Sequence, residues 1–171
     1  IVTLQEAANK NQIDIIYYLL LCKKSIPDSC FNENTVLQKI VIPSSVVSIG
    51  NFAFSDCKSL SEIIIPSSVT SIGESAFINC KSLTSIIIPS SVVSIEYSTF
   101  NHCESLREII IPSSVTSIGN YAFYECVSLQ KVKIEYSVTS IGKFAFGECT
   151  SLEVINIPSS VTSIGDSAFY K

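Results

Sequence analysis

The sequence predicts a repeat solenoid, mainly β, wound as a right-handed superhelix with short 3₁₀ or helical arcs and a helical cap at its N-terminus. Three observations predict it. Phe31, Phe54, Phe77, Phe100, Phe123, Phe146 and Phe169 recur at one fixed step of 23 residues, and Cys57, Cys80, Cys103, Cys126 and Cys149 keep the same step. Leu37, Leu60, Leu83, Leu106, Leu129 and Leu152 form a third column in register with these. So many columns held at one period over most of the chain are the mark of stacked units, each covering its neighbour. The chain has 171 residues, of which 47% are hydrophobic and 15% charged. With a mean hydropathy of +0.43, that is too apolar for a disordered chain.

The pattern inside one unit sets its geometry. In the unit that begins at Cys57, Leu60, Ile63 and Ile65 read L-x-x-I-x-I. Ile63 and Ile65 alternate as strand residues do and point to one side. Pro66 ends that strand because it has no amide hydrogen to give a ladder. Val69 and Ile72 flank Thr70 and Ser71 in a second short extended stretch, after which Gly73 supplies a turn. Ala76 and Phe77 open an arc of 3₁₀ or α character that ends at Cys80. A unit of this length has no room for a strand, a full helix and two loops. Each is therefore one coil, paired to its neighbours at about 4.8 Å. Two units depart from the pattern: Glu96 and Thr99 replace the glycine and alanine of the third, and Glu135 and Tyr136 replace Pro-Ser in the fifth. Both are expected to make local irregularities without breaking the stack.

The L-x-x-I-x-I core resembles the leucine-rich repeat. The longer string I-P-S-S-V-T-S-I-G-x-x-A-F-x-x-C, which runs from residue 25 onward, resembles the BspA-like (Treponema pallidum type) class of that family. The resemblance implies a source among bacteria or parasitic protists, and a surface or adhesive role.

Two domains are expected: an N-terminal helical cap over residues 1–24, and a leucine-rich-repeat solenoid of about six coils over residues 25–171. Thr3-Leu4-Gln5-Glu6 reads as a capping box, followed by one helix to about Asn9 and another from about Gln12 to Cys22. The string from Glu6 to Leu20 resembles one ankyrin helix pair. Such a pair would cover the apolar edge of the first coil. Residues 25–31 align with 48–54 and form a partial coil before the six. The C-terminal end has no polar capping unit, so a homo-oligomer formed through that end is an expectation.

Charge narrows the partners. Eleven basic residues against 15 acidic ones, a net charge of −4 and a pI near 5.0 exclude a nucleic-acid surface, which needs a basic stripe. The longest apolar run, residues 13–22 with Asp14 inside it, is far shorter than the roughly 20 residues of a membrane span. Ile1 is not a native start, so targeting is not legible here.

No enzyme is expected, and no cofactor. The seven cysteines invite a disulfide or metal reading that spacing opposes. Parallel Cα–Cβ vectors keep neighbouring Cβ atoms near 4.8 Å, above the roughly 3.8 Å of a bridged pair. A straight line of sulfurs makes no tetrahedron, and C-x-x-C is absent. The thiols are expected to face inward and donate weakly to carbonyls. Reduced thiols fit a cytosolic environment somewhat better than an extracellular one. His102 precedes Cys103 and shares a column with Glu125. If Cys103 faces inward its neighbour faces solvent, so nucleophile and base diverge. The serines recur in every coil, as hydroxyl ladders and turns require and catalysis does not. G-x-S-x-G, P-loop and dinucleotide fingerprints are all missing.

A partner surface is expected on the concave strand face. Its outward column reads Val41, Ile64, Ile87, Ile110, Lys133 and Asn156; the flanking column reads Lys39, Glu62, Ser85, Glu108, Lys131 and Val154. An exposed β-branched strip rimmed by charge is what a protein partner binds, and it also suits plain strand packing. The turn after the glycine carries Phe52, Tyr97, Tyr121, Tyr124, Phe144 and Tyr170 outside the phenylalanine column. Partial burial against the next coil is expected for these. The function read from the sequence is a non-catalytic protein–protein interaction scaffold. The family resemblance implies the alternative, a surface adhesin that binds host matrix or another cell.

Overall fold

A computed structural model describes residues 24–171. The expected helices, the capping box and Cys22 lie outside the described residues. Six coils run over 34–56, 57–79, 80–102, 103–125, 126–148 and 149–171, after the partial coil at 25–33.

Each regular coil contributes two short strands. The shorter ones are β1 (Ser25–Ile26), β3 (Ser48–Ile49), β5 (Ser71–Ile72), β6 (Ser94–Ile95), β8 (Ser117–Ile118), β10 (Ser140–Ile141) and β12 (Ser163–Ile164). The longer ones are β2 (Lys39–Val41), β4 (Glu62–Ile64), β7 (Glu108–Ile111), β9 (Lys131–Ile134) and β11 (Val154–Asn156). All pairs are parallel and join equivalent residues of successive coils, as with Ile40 and Ile63, or Ile109 and Val132. The partial coil is real, because Ser25 and Ile26 pair with Ser48 and Ile49.

The alternation expected for L-x-x-I-x-I places Leu60, Ile63 and Ile65 inside and leaves Ile64 out. The phenylalanines stack along one axis, with ring centroids 5.0 Å apart at Phe31–Phe54 and 5.5 Å at Phe77–Phe100. Rings within a pair lie nearly parallel, 2° apart at Phe123–Phe146. Phe54, Phe77, Phe100, Phe123 and Phe146 are fully buried. This offset-stacked file and the aliphatic columns beside it supply the hydrophobic stabilisation that no single coil could have alone. The sixth coil covers the fifth, and its own Leu152, Ile155, Val161 and Phe169 pack on the core while partly exposed.

Two expectations need correction. The arcs contain no helix among the described residues. They are chained tight turns in which every fourth residue has a positive φ, such as Ser75 (53°) and Asn79 (59°), or Ser98 (51°) and His102 (57°). Alternate amides serve different partners. Phe54 and Asp56 donate to Ala76 and Ile78 of the next coil, each at 2.8 Å, while Ser55 and Cys57 donate back to Phe52 and Phe54 within the turn. A helix would spend every amide internally. This arc saves half of its amides for the stack.

The second correction concerns the glycine column. No glycine has a positive φ, so Gly73 is not there for turn freedom. A Cβ on Gly73 would lie 2.6 Å from the Asn51 nitrogen and 2.7 Å from the Gly50 carbonyl carbon. The column exists because two backbones come within contact there. Glu96 breaks it, and the strand ladders lapse at the same level: β5 ends one sheet, β6 begins another, and residues 85–88 form no strand. The phenylalanine file crosses the gap intact, so the stack holds as expected. Thr99 remains fully buried with its hydroxyl donating to Glu96 O at 3.0 Å. At the fifth coil the missing proline restores an amide, and Glu135 donates to Ile111 O at 3.1 Å.

Candidate functional site

The inward columns hold no reactive chemistry. Cys57, Cys80, Cys103, Cys126 and Cys149 are free and fully buried. Each thiol donates to the phenylalanine carbonyl 26 residues earlier in the chain, from 3.0 Å at Cys57–Phe31 to 3.3 Å at Cys103–Phe77. Burial pushes the Cys57 and Cys149 thiols up to about 12. It raises Cys80, Cys103 and Cys126 well above the ordinary value. A thiol that stays protonated is neither nucleophile nor ligand. A disulfide reagent should therefore leave these five thiols unmodified in the native chain at pH 8 and modify them in denaturant. Rapid native-state labelling of two or more would contradict the buried file.

His102 and Cys103 diverge as expected. Cys103 points into the core, while His102 is partly exposed with Nδ1 3.0 Å from Glu125 Oε2 on the next coil. Among the described residues no group of three His, Cys, Asp or Glu side chains could hold a metal ion. The hydroxyl columns hold coil to coil: Ser68 donates to Val46 O at 2.7 Å and Thr139 to Thr116 O at 3.2 Å.

On the strand face, the column singled out from the sequence lies exposed. Val41, Ile64 and Ile110 are more than half accessible, and Ile87, at the level where the ladders lapse, is 82% accessible. The register places Val41 beside Ile64, and Ile110 beside Lys133 and then Asn156. Lys39 pairs with Glu62 at 2.8 Å and Lys133 with Glu135 at 2.7 Å. Both pairs are solvated, so their weight is in partner choice more than stability. A concavity of about 320 Å³ on this face lies over β7, β9 and β11. Glu108, Ile110, Lys131, Lys133, Val154 and Asn156 border it. All six belong to the two outward columns read from the sequence. Glu62, Val41, Ile64 and Ile87 lie outside the concavity.

The second surface feature is the turn edge. Phe52, Tyr121 and Phe144 occupy equivalent positions, and so do Tyr124 and Tyr170, which the sequence reading did not separate. Tyr121 stacks on Phe144 at 5.3 Å, and Tyr97, Tyr124 and Tyr170 meet that pair edge-on. Tyr121, Tyr124 and Phe144 are half-buried, while Phe52, Tyr97 and Tyr170 are exposed.

A stack of parallel coils with L-x-x-I-x-I strands, an inward phenylalanine file and two exposed faces is a leucine-rich-repeat solenoid. The pattern describing the BspA-type leucine-rich-repeat region matches residues 24–134 and 70–171, in six copies. The chain belongs to this BspA-type leucine-rich-repeat family. It is similar to a leucine-rich cell surface protein from Faecalibacterium prausnitzii, with 41% identity, a TM-score of 0.80, and coverage of 85% of this chain and 40% of that one. It is also similar to the T. pallidum leucine-rich repeat protein, at 34% identity and a TM-score of 0.79, covering 83% of this chain and 66% of that one. A leucine-rich repeat protein from Eubacterium ventriosum matches at 27% identity and a TM-score of 0.71, covering 78% of this chain and 42% of that one. The chain spans less than two thirds of the length of each. No curated protein is significantly similar to it. Among the described residues no helix is long and apolar enough to cross a membrane.

Proposed function

We propose that the chain is a non-catalytic scaffold that binds a protein partner through its outward strand face. The observation that carries this reading is the groove over β7, β9 and β11. There Ile110 and Val154 lie on the two outer strands, with Lys131 and Lys133 on the central strand between them and Glu108 beside Lys131. Apolar groups interleaved with charged ones in a concavity suit a protein contact. The strip from Val41 to Ile110 extends that contact along the axis.

The test replaces Ile64, Ile87 and Ile110 with threonine together. All three are exposed, and threonine keeps both β-branching and strand preference. Circular dichroism should be unchanged while partner capture or self-association weakens. Unchanged pull-down and light scattering would make the strip a packing feature only.

A second reading has one observation in its favour: the 41% identical relative from F. prausnitzii is described as a cell surface protein. In that reading the same face belongs to an adhesin that binds host matrix or another cell. Labelling intact cells with a reagent that does not cross membranes separates the two. Modification of the chain supports the adhesin, and protection until lysis supports the internal scaffold.

A further inference from the structure

We propose that the aromatic turn edge of coils three to six binds an extended, arginine- or lysine-bearing segment of a protein partner. This surface is separate from the strand face, and its argument does not rest on that reading.

Tyr121 and Phe144 adopt φ values of 57° and 52°. Bulky residues rarely enter this left-handed region, which costs free energy. At the equivalent position the chain has Phe52 in the first coil and serine in the others, Ser29, Ser75, Ser98 and Ser167, all at positive φ. The backbone therefore does not need an aromatic there, and two adjacent coils carry one at a cost. Gly147 supports the same arrangement. A Cβ there would lie 3.0 Å from Tyr124 Cδ2 and 3.1 Å from Phe144 Cδ1. Its absence leaves the two rings room to meet, at 6.1 Å and 89°.

The chemistry of the surroundings selects the occupant. Glu125 and Glu148 follow Tyr124 and Gly147 along the edge, and the whole chain has a net charge of −4. The Tyr124 hydroxyl is held above its usual pKa by desolvation first and then by Glu125 and Glu148, so both carboxylates are felt at the ring. One ring already takes an ammonium: Lys143 Nζ sits 5.4 Å from the Phe144 centroid. Aromatic faces beside carboxylates suit guanidinium and ammonium groups. The rings also cross steeply, 65° at Tyr97–Tyr121 and 74° at Tyr121–Tyr124. That corrugated surface offers slots for separate side chains, whereas a sugar ring stacks best on a flat one. Tyr97 and Tyr170 remain about half accessible at the two ends, which fits an extended segment that runs along the coils.

The experiment titrates a capped hexa-arginine peptide into the 171-residue chain by calorimetry. Hexaglutamate and maltotriose serve as comparison probes. The Y121S/F144S variant carries at both positions the serine that other coils use, so it should fold, and circular dichroism checks that it does. Loss of two ring contacts should weaken arginine-peptide binding about tenfold or more. E148Q should weaken it and flatten its salt dependence. The Ile64/Ile87/Ile110 threonine variant should bind the peptide as the native chain does. Equal affinity of Y121S/F144S and the native chain would overturn the proposal, because attraction to net charge alone ignores a neutral substitution. Comparable binding of hexaglutamate or maltotriose would overturn it too, as would no binding of the arginine peptide.

Discussion

Phe100→Ala should lower the unfolding free energy by about 3–5 kcal/mol, the range for deleting a buried aromatic ring. Phe100 is fully buried and sits between Phe77 at 5.5 Å and Phe123 at 5.3 Å. Its removal leaves a hole in the middle of the file at the level where the strand ladders have already lapsed. The effect should therefore include a loss of cooperativity as well as stability. A repeat stack is held by nearest-neighbour interfaces, and weakening the central one lets its halves unfold separately. Circular dichroism in urea reports all coils, whereas all the tyrosines of the described residues lie at Tyr97 and beyond. In the native chain both signals should change together. In Phe100→Ala the dichroism should split into two steps, only one of them followed by most of the tyrosine signal. A single coincident transition shifted by under 1 kcal/mol would show that the file contributes little.

Gly142→Ala should also be costly, by about 2 kcal/mol or more, as overpacking against rigid atoms is. The added Cβ would lie 2.5 Å from both the Asn120 nitrogen and the Gly119 carbonyl carbon. It would also crowd Asn120 Oδ1, which accepts the Lys143 amide at 2.7 Å. Main chain cannot swing aside, so β8 and β10 must part. Gly147→Ala is the contrast, because the atoms nearest its Cβ belong to the rings of Tyr124 and Phe144, at 3.0–3.3 Å. Rings can rotate, and the loss there should stay under about 1 kcal/mol. Thermal melts of the two variants decide it. Equal losses would mean that backbone proximity is not what keeps the column glycine.

The periodic columns made the fold legible because one coil's burial pattern is copied by the next. Phe54 and Cys57 could be placed inward from spacing alone, as could the thiol donation to carbonyls. The arcs were not legible in the same way. Their apolar pair Ala76–Phe77 is compatible with a helical turn, and only the backbone reveals the left-handed residues at Ser75 and Asn79. Asp56, Asn79 and His102 are residue types that enter that region more readily than most, so their column carried a signal. Phe52, Tyr121 and Phe144 carried none. The glycine column misled because a glycine needed for clearance and one needed for φ look identical in a sequence. The strand face was legible as two columns, Val154 included, but its groove was not: which coils leave a concavity between those columns depends on backbone shape that a residue period does not carry.

The division of amides in the arcs has a mechanical consequence. Because the arcs as well as the strands bond one coil to the next, a pull at the chain ends loads similar fastenings at most levels. The exception is the level of Glu96, where both ladders are interrupted. Under tension the molecule should part there first, into two shorter springs that each keep their own row of stacked rings.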